Sequence, residues 1–153
     1  MAANTQALAV SWKQDIFNGL HAFGTSVVRA STTADTFYGA LYITNQGLGS
    51  STTAYSATGE VSGSGYTAGG AAVTNATAPA TSGATAYWTP SANLVWTAVT
   101  LATAFDTLLL YNNTATGKNA VGAFTFGATT VTAGNFTVSM PTNSSTTGLI
   151  RLT

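Results

Sequence analysis

Ala104-Phe105-Asp106-Thr107-Leu108-Leu109-Leu110-Tyr111 is the stretch that decides the fold. Phe105, Thr107, Leu109 and Tyr111 alternate with Asp106, Leu108 and Leu110. Period two is the signature of a strand. The run Leu108-Leu109-Leu110 is apolar on both faces, as a central strand requires. Residues 94–101 read the same way, and the two segments predict the strongest strand pair of the chain.

Outward from this pair the pattern continues. Asn112 and Asn113 open a turn that runs through Gly117, and residues 121–126, 135–140 and 149–152 read as further strands. Upstream, Phe37, Gly39, Leu41 and Ile43 alternate with Tyr38, Ala40 and Tyr42. Residues 71–75 and 84–88 form short strands around a turn at Pro79 and Gly83. Residues 46–70 are rich in Gly, Ser and Thr and too long for a bare loop, so they predict a laced excursion whose aromatics are pinned to the core. About eight short strands with frequent turn signals predict a mainly β fold, an antiparallel β-sandwich or barrel.

The N-terminal region differs. Ser11 is placed to cap, and Trp12, Ile16, Leu20 and Phe23 recur at spacings of three or four, which predicts a helix over residues 11–23 stopped by Gly24. Gly19 inside that run costs ~1 kcal/mol of helix propensity. The chain therefore reads as one domain over residues 1–153: an arm at 1–10, the helix at 11–23 and a β-sandwich at 35–153. Residues 1–10 offer little to anchor a core, so the arm is expected to be disordered alone and to order on a neighbour.

Composition narrows function. Four Lys and Arg and four Asp and Glu make 5% of the 153 residues, against ~25% in soluble domains generally. The formal net charge is zero, so no steering towards nucleic acid or anionic lipid is implied. There is no cysteine, hence no disulfide, thiolate chemistry or Cys-based metal site. The first residues lack a signal-peptide pattern and no apolar run approaches a membrane span, so synthesis and folding in the cytoplasm are expected. Thr paves the predicted sheet faces with uncharged hydroxyls, a surface that costs little to desolvate.

The chemical motifs are weak. Glu60-Val61-Ser62-Gly63-Ser64-Gly65-Tyr66-Thr67-Ala68-Gly69-Gly70 has glycines, but not at dinucleotide-fingerprint spacing, and no helix pattern follows. Turns and close backbone approach explain them better. His21 is the single histidine, and Asp15, Asp35, Glu60 and Asp106 are the only carboxylates. On a helix Asp15 and His21 point to different faces, and each acid falls in a different element, so neither an acid–base pair nor a glycosidase pair is expected. Asn75, Asn112, Asn135 and Asn143 begin glycosylation sequons of the kind that arise by chance in a Thr- and Ser-rich chain. No catalytic residue, cofactor or metal ligand is predicted. Trp12, Tyr55, Tyr66, Trp88 and Trp96 are the interface candidates, because Trp and Tyr concentrate at contact surfaces as well as in cores. A sugar-stacking platform is the alternative use of the same aromatics.

Ser11-Trp12-Lys13-Gln14, Gly19-Leu20-His21-Ala22-Phe23 and Asp35-Thr36-Phe37 leading to Ala40-Leu41-Tyr42 resemble a group of small virion proteins of tailed bacteriophages. The similarity resumes at Tyr55, at Thr58-Gly59-Glu60-Val61 through Gly65-Tyr66-Thr67-Ala68-Gly69-Gly70, and at Trp96-Thr97, Leu110-Tyr111-Asn112, Phe126-Gly127 and Phe136-Thr137-Val138. It covers most of the chain in order, and the segment around Glu60 is its specific part. The departure lies at Thr103-Ala104-Phe105-Asp106, where an Arg-Gly pair is expected in relatives. The resemblance implies a non-enzymatic virion structural protein. The expected placement is a capsid decoration or cement subunit on the outer capsid surface, bound to the major capsid protein and to itself as a homo-oligomer, with a trimer favoured. A neck or tail component, or a carbohydrate-binding adhesin, is the alternative. Neither nucleic acid nor membrane is an expected partner.

Overall fold

A computed structural model describes residues 2–9, 16, 20–25, 34–83 and 85–152. Eight strands run in order: β1 (Ala7–Leu8), β2 (Phe37–Ile43), β3 (Ala71–Ala72), β4 (Ala80–Ser82), β5 (Thr85–Trp88), β6 (Leu94–Asn112), β7 (Ala120–Val138) and β8 (Ile150–Leu152). They form two open antiparallel sheets, one ordered β1-β7-β6-β2-β3 and the other β4-β5-β8. The mainly β, antiparallel expectation therefore holds, and neither sheet closes into a barrel.

Two details of the sequence reading need correction. Residues 94–101 and 104–111 are not partners but halves of one 19-residue strand, β6. Ala102-Thr103 between them contains no Gly, Pro or Asn to turn the chain, so the strand continues. Its partner along the whole length is β7, which likewise merges residues 121–126 and most of 135–140. The second concerns the helix. Residues 10–15 and 17–19, including Trp12, lie outside the described residues; Ile16 between them is helical, and the expected helix does not extend over the described residues 20–23. The backbone of 20–24 is instead tied to side chains from afar. Leu20 O accepts from Asn112 Nδ2 at 3.3 Å, the Ala22 N–H donates to Asp35 Oδ2 at 3.1 Å, and the Gly24 N–H donates to Asn75 Oδ1 at 2.6 Å. Groups bonded this way are not available to an i→i−4 ladder.

The β6–β7 ribbon is bent over on itself. Its ladder shifts register between Trp96 and Val99, between Val99 and Leu101, between Leu101 and Phe105 and between Phe105 and Thr107. Ala98 and Ala133 sit in the left-handed region at φ 53° and 46°. Bulges of this kind bend a strand and increase its twist. The bend falls where both strands carry mostly Ala, Thr and Gly. As a result Phe105 meets Phe136 edge to face with centroids 4.9 Å apart, although the ladder pairs Phe105 with Thr129 and Phe136 with Trp96. The core lies between the two halves, with Leu101, Phe105, Leu109 and Val121 fully buried. The smaller sheet joins this body through Trp88, whose ring packs on Phe23 and Phe37.

The N-terminal arm is part of the body. β1 pairs with β7 at Ala7↔Ala123 and Leu8↔Gly122, and Ala9 is buried. Asn4 Nδ2 donates to Ile43 O, Asp106 Oδ1 and Thr107 Oγ1 at 2.8–3.2 Å, and its Oδ1 accepts from the Leu48 N–H at 3.0 Å. Nδ2, whose two N–H donors are shared among three acceptors, and Oδ1 together do what the sparse apolar content of the arm does not. The expectation of a free arm is corrected accordingly for residues 2–9.

Candidate functional site

The polar centre of the molecule is Glu60. It stands at the start of the Gly-rich segment, bridged antiparallel to Tyr42 in β2. Tyr55 Oη donates to Glu60 Oε2 at 2.7 Å, Tyr66 Oη to Oε1 at 2.8 Å, and the Gly69 N–H to Oε1 at 2.7 Å. Tyr66 Oη in turn accepts the Leu41 N–H at 3.0 Å. Tyr111 Oη donates to Gly69 O at 2.8 Å, and Tyr42 Oη donates to Ser56 O. Burial pushes the phenols of Tyr42, Tyr55, Tyr66 and Tyr111 above the ordinary tyrosine value, and the Glu60 carboxylate pushes them further. Tyr111 is raised to about 12. Phenols held protonated serve as donors, not as bases. The cluster is a clamp that ties the excursion to β2 and to the end of β6.

Residues 60–70 thereby become a strap across one side of the folded ribbon. The Val61 N–H donates to Leu41 O at 2.9 Å, and the Thr100 N–H donates to Ser64 O at 2.9 Å, so the strap touches β2 and the far half of β6 at once. A Cβ on Gly63 would collide with Thr100 O, and one on Gly70, at φ +80°, with Gly39 O. Here the glycines are required by backbone approach, as the sequence reading anticipates. The Tyr66 ring closes the interior by stacking near Trp96, centroids 6.2 Å apart.

A second polar knot lies at the other end of β2. Asn112 is fully buried, and its Nδ2 reaches Asp35 Oδ2 at 2.8 Å and lies 3.3 Å from His21 Nδ1. Its Oδ1 accepts the Thr114 and Ala115 N–H groups at 3.0 Å. This brings the single histidine and one carboxylate onto a shared amide, in an arrangement that braces segment 20–24 against the end of β6. Among the described residues no group of three or more His, Asp or Glu is placed to hold a metal.

The interface candidates separate. Tyr55 and Tyr66 are half-buried in the Glu60 clamp, Tyr55 stacked on Tyr111 with centroids 4.7 Å apart. Trp88 and Trp96 are core residues, 2% and 5% exposed. The Trp88 indole donates to Thr77 O at 2.8 Å. Trp12 lies outside the described residues. Two of the three tryptophans thus present no face for a partner or a sugar.

The open feature is one the aromatic inventory overlooks. On the β7 side of the ribbon lies an apolar groove of about 450 Å³, lined by Phe124, Phe126, Phe136, Val138 and Met140. These side chains are half-buried. Their spacing, Phe124 with Phe126 and Phe136 with Val138, places each pair on one face of β7. The surrounding sequence, Asn119 to Ile150, contains no ionisable side chain. That uncharged run is the signal that could have located the groove. No helix among the described residues is long and apolar enough to cross a membrane. No protein-family model, curated protein or solved structure matches this chain.

Proposed function

We propose that this chain is a non-enzymatic structural protein of a tailed-bacteriophage virion. In this reading it is a decoration or cement subunit that sits on the outer capsid surface, binds the major capsid protein and associates with itself, with a trimer the favoured order. It is made in the host cytoplasm and joins the particle there. The resemblance around Glu60 supplies the family. The observation that carries the physical side is the uncharged β7 surface: residues 127–137 expose Gly, Ala, Thr and Asn and no charge. Interface cores are depleted of charged residues for the same desolvation reason.

The ionisable groups are consistent with this. Glu60, Asp35 and Asp106 each accept hydrogen bonds from the fold itself. A lattice offers many equivalent sites, so modest contacts suffice when they are repeated. Of the aromatics that the adhesin alternative would use as a platform, Trp88 and Trp96 are buried.

Quantitative analysis of purified particles tests the proposal. A copy number in fixed proportion to the major capsid protein, with density on the outer shell, is expected. A few copies at a vertex would make the chain a neck or tail component instead, and absence from particles would end the virion reading.

A further inference from the structure

We infer that the unstrapped side of the folded ribbon, the β7 edge with its Phe-lined groove, is where two copies of this chain meet. The inference rests on the homo-oligomer proposed above. The molecule itself shows what such a side requires. On the β2 side, the strap supplies backbone hydrogen bonds to Leu41 and Thr100 and plugs the interior with Tyr66. On the β7 side, β1 pairs with Ala123 and Gly122, and the backbone of Ala9 and Thr53 extends this cover only to Val121 and Ala120. Among the described residues, the rest of β7 has β6 on one flank and no strand on the other. The same side opens onto Phe124, Phe126, Phe136, Val138 and Met140.

An open edge is a template for a further strand, and proteins that stay monomeric blunt such edges with Lys, Pro or bulges. β7 contains no Lys or Pro, the nearest proline, Pro141, lies beyond its end, and its bulges sit at the bend, leaving residues 136–138 beside the groove in regular register with β6. The charge pattern selects the occupant. A charged segment entering here would lose its water and find no ionic partner within residues 119–150; the cation beside the groove, Arg151, lines the adjoining cavity and donates to Thr146 O. A second copy presents the same uncharged edge, so it meets no repulsion and leaves no charge unpaired. Pairing of this kind adds backbone hydrogen bonds and covers the Phe groove in one step.

The test is sedimentation velocity on the full chain, on Thr137→Lys/Ser139→Lys at the groove rim, and on Thr67→Lys on the strap as a control; all three positions are exposed. Wild type and T67K are expected to sediment as one assembled species. The rim variant is expected to lose it while keeping the wild-type circular dichroism. A folded rim variant that stays assembled overturns the inference and leaves the homo-oligomer standing. A wild-type monomer at high concentration overturns the homo-oligomer itself. Should the rim variant not fold, amide exchange of wild-type residues 127–137 on dilution decides: protection lost with dilution supports the edge contact, and protection independent of concentration overturns it.

Discussion

Tyr66 and Glu60, six residues apart, form a 2.8 Å hydrogen bond that turns the Gly-rich segment back on itself and aims the Tyr66 ring at Trp96. The same Glu60 oxygen holds the Gly69 N–H, so one carboxylate shapes both ends of the turn. A segment with hardly any apolar residues is thereby kept in place by polar bonds made in a half-buried setting.

Glu60 is accordingly the side chain whose loss should cost most in this region. Glu60→Ala leaves two phenols and one amide without their acceptor, and a loss of about 2–4 kcal/mol is expected. Glu60→Gln keeps an acceptor of the same shape and should cost less, about 1–2 kcal/mol. Urea unfolding of the two variants against wild type checks the order. Equal stability of E60A and wild type would show that the clamp is incidental.

The tyrosines predict alkaline behaviour. Their folded values lie above the unfolded value of ~10, so the protonated form is favoured by folding. Below pH ~10 both states are protonated and this contribution is fully present. Above it the unfolded chain releases protons that the folded chain retains, so stability falls as pH rises through the folded values, of which Tyr111, at about 12, is the lowest of the four. Tyrosinate absorbance should therefore rise in two waves, the later one coinciding with unfolding by circular dichroism. A single wave near the free-tyrosine value would refute the buried network.

Two glycine-to-alanine changes separate backbone approach from mere composition. Gly70→Ala drives a methyl into Gly39 O from a left-handed φ, with an expected cost of about 3 kcal/mol or more. Gly127→Ala, in β7, meets nothing within 4 Å and should be neutral within about 0.5 kcal/mol. Thermal unfolding of the pair gives the answer, and similar melting temperatures would contradict the described strap.

Removal of residues 2–9 is expected to destabilise the domain, not merely trim it. It deletes β1, the Asn4 hydrogen bonds and the buried Ala9. Asn4→Ala alone should cost about 1–3 kcal/mol, since it leaves the Leu48 N–H without its acceptor and Asp106 Oδ1 with the Thr107 hydroxyl as its remaining donor. Chemical denaturation checks both; an unchanged midpoint for N4A would mean that water replaces its bonds at no cost.

The class of the fold and most strand positions are legible in the residue pattern alone. Period-two alternation with β-branched and aromatic residues placed β2 at its full length and the ends of β6 and β7, because side-chain period is a local property of the pleat. The paucity of charge spoke equally plainly, since composition needs no coordinates. That two pairs of short strands are one bent ribbon emerges from long-range pairing. Bulges depend on the register of a distant partner, and Ala and Thr at the bend carry no turn signal of their own. Folding likewise decides the role of Glu60, an ordinary loop acid until Tyr55, Tyr66 and Gly69 converge on it. Helical spacing of Ile16 and Phe23 marks residues that do pack on the core, but spacing cannot reveal that Asp35, Asn75 and Asn112 take the backbone groups of the neighbouring residues 20–24. Those partners lie far along the chain, and only folding brings them near.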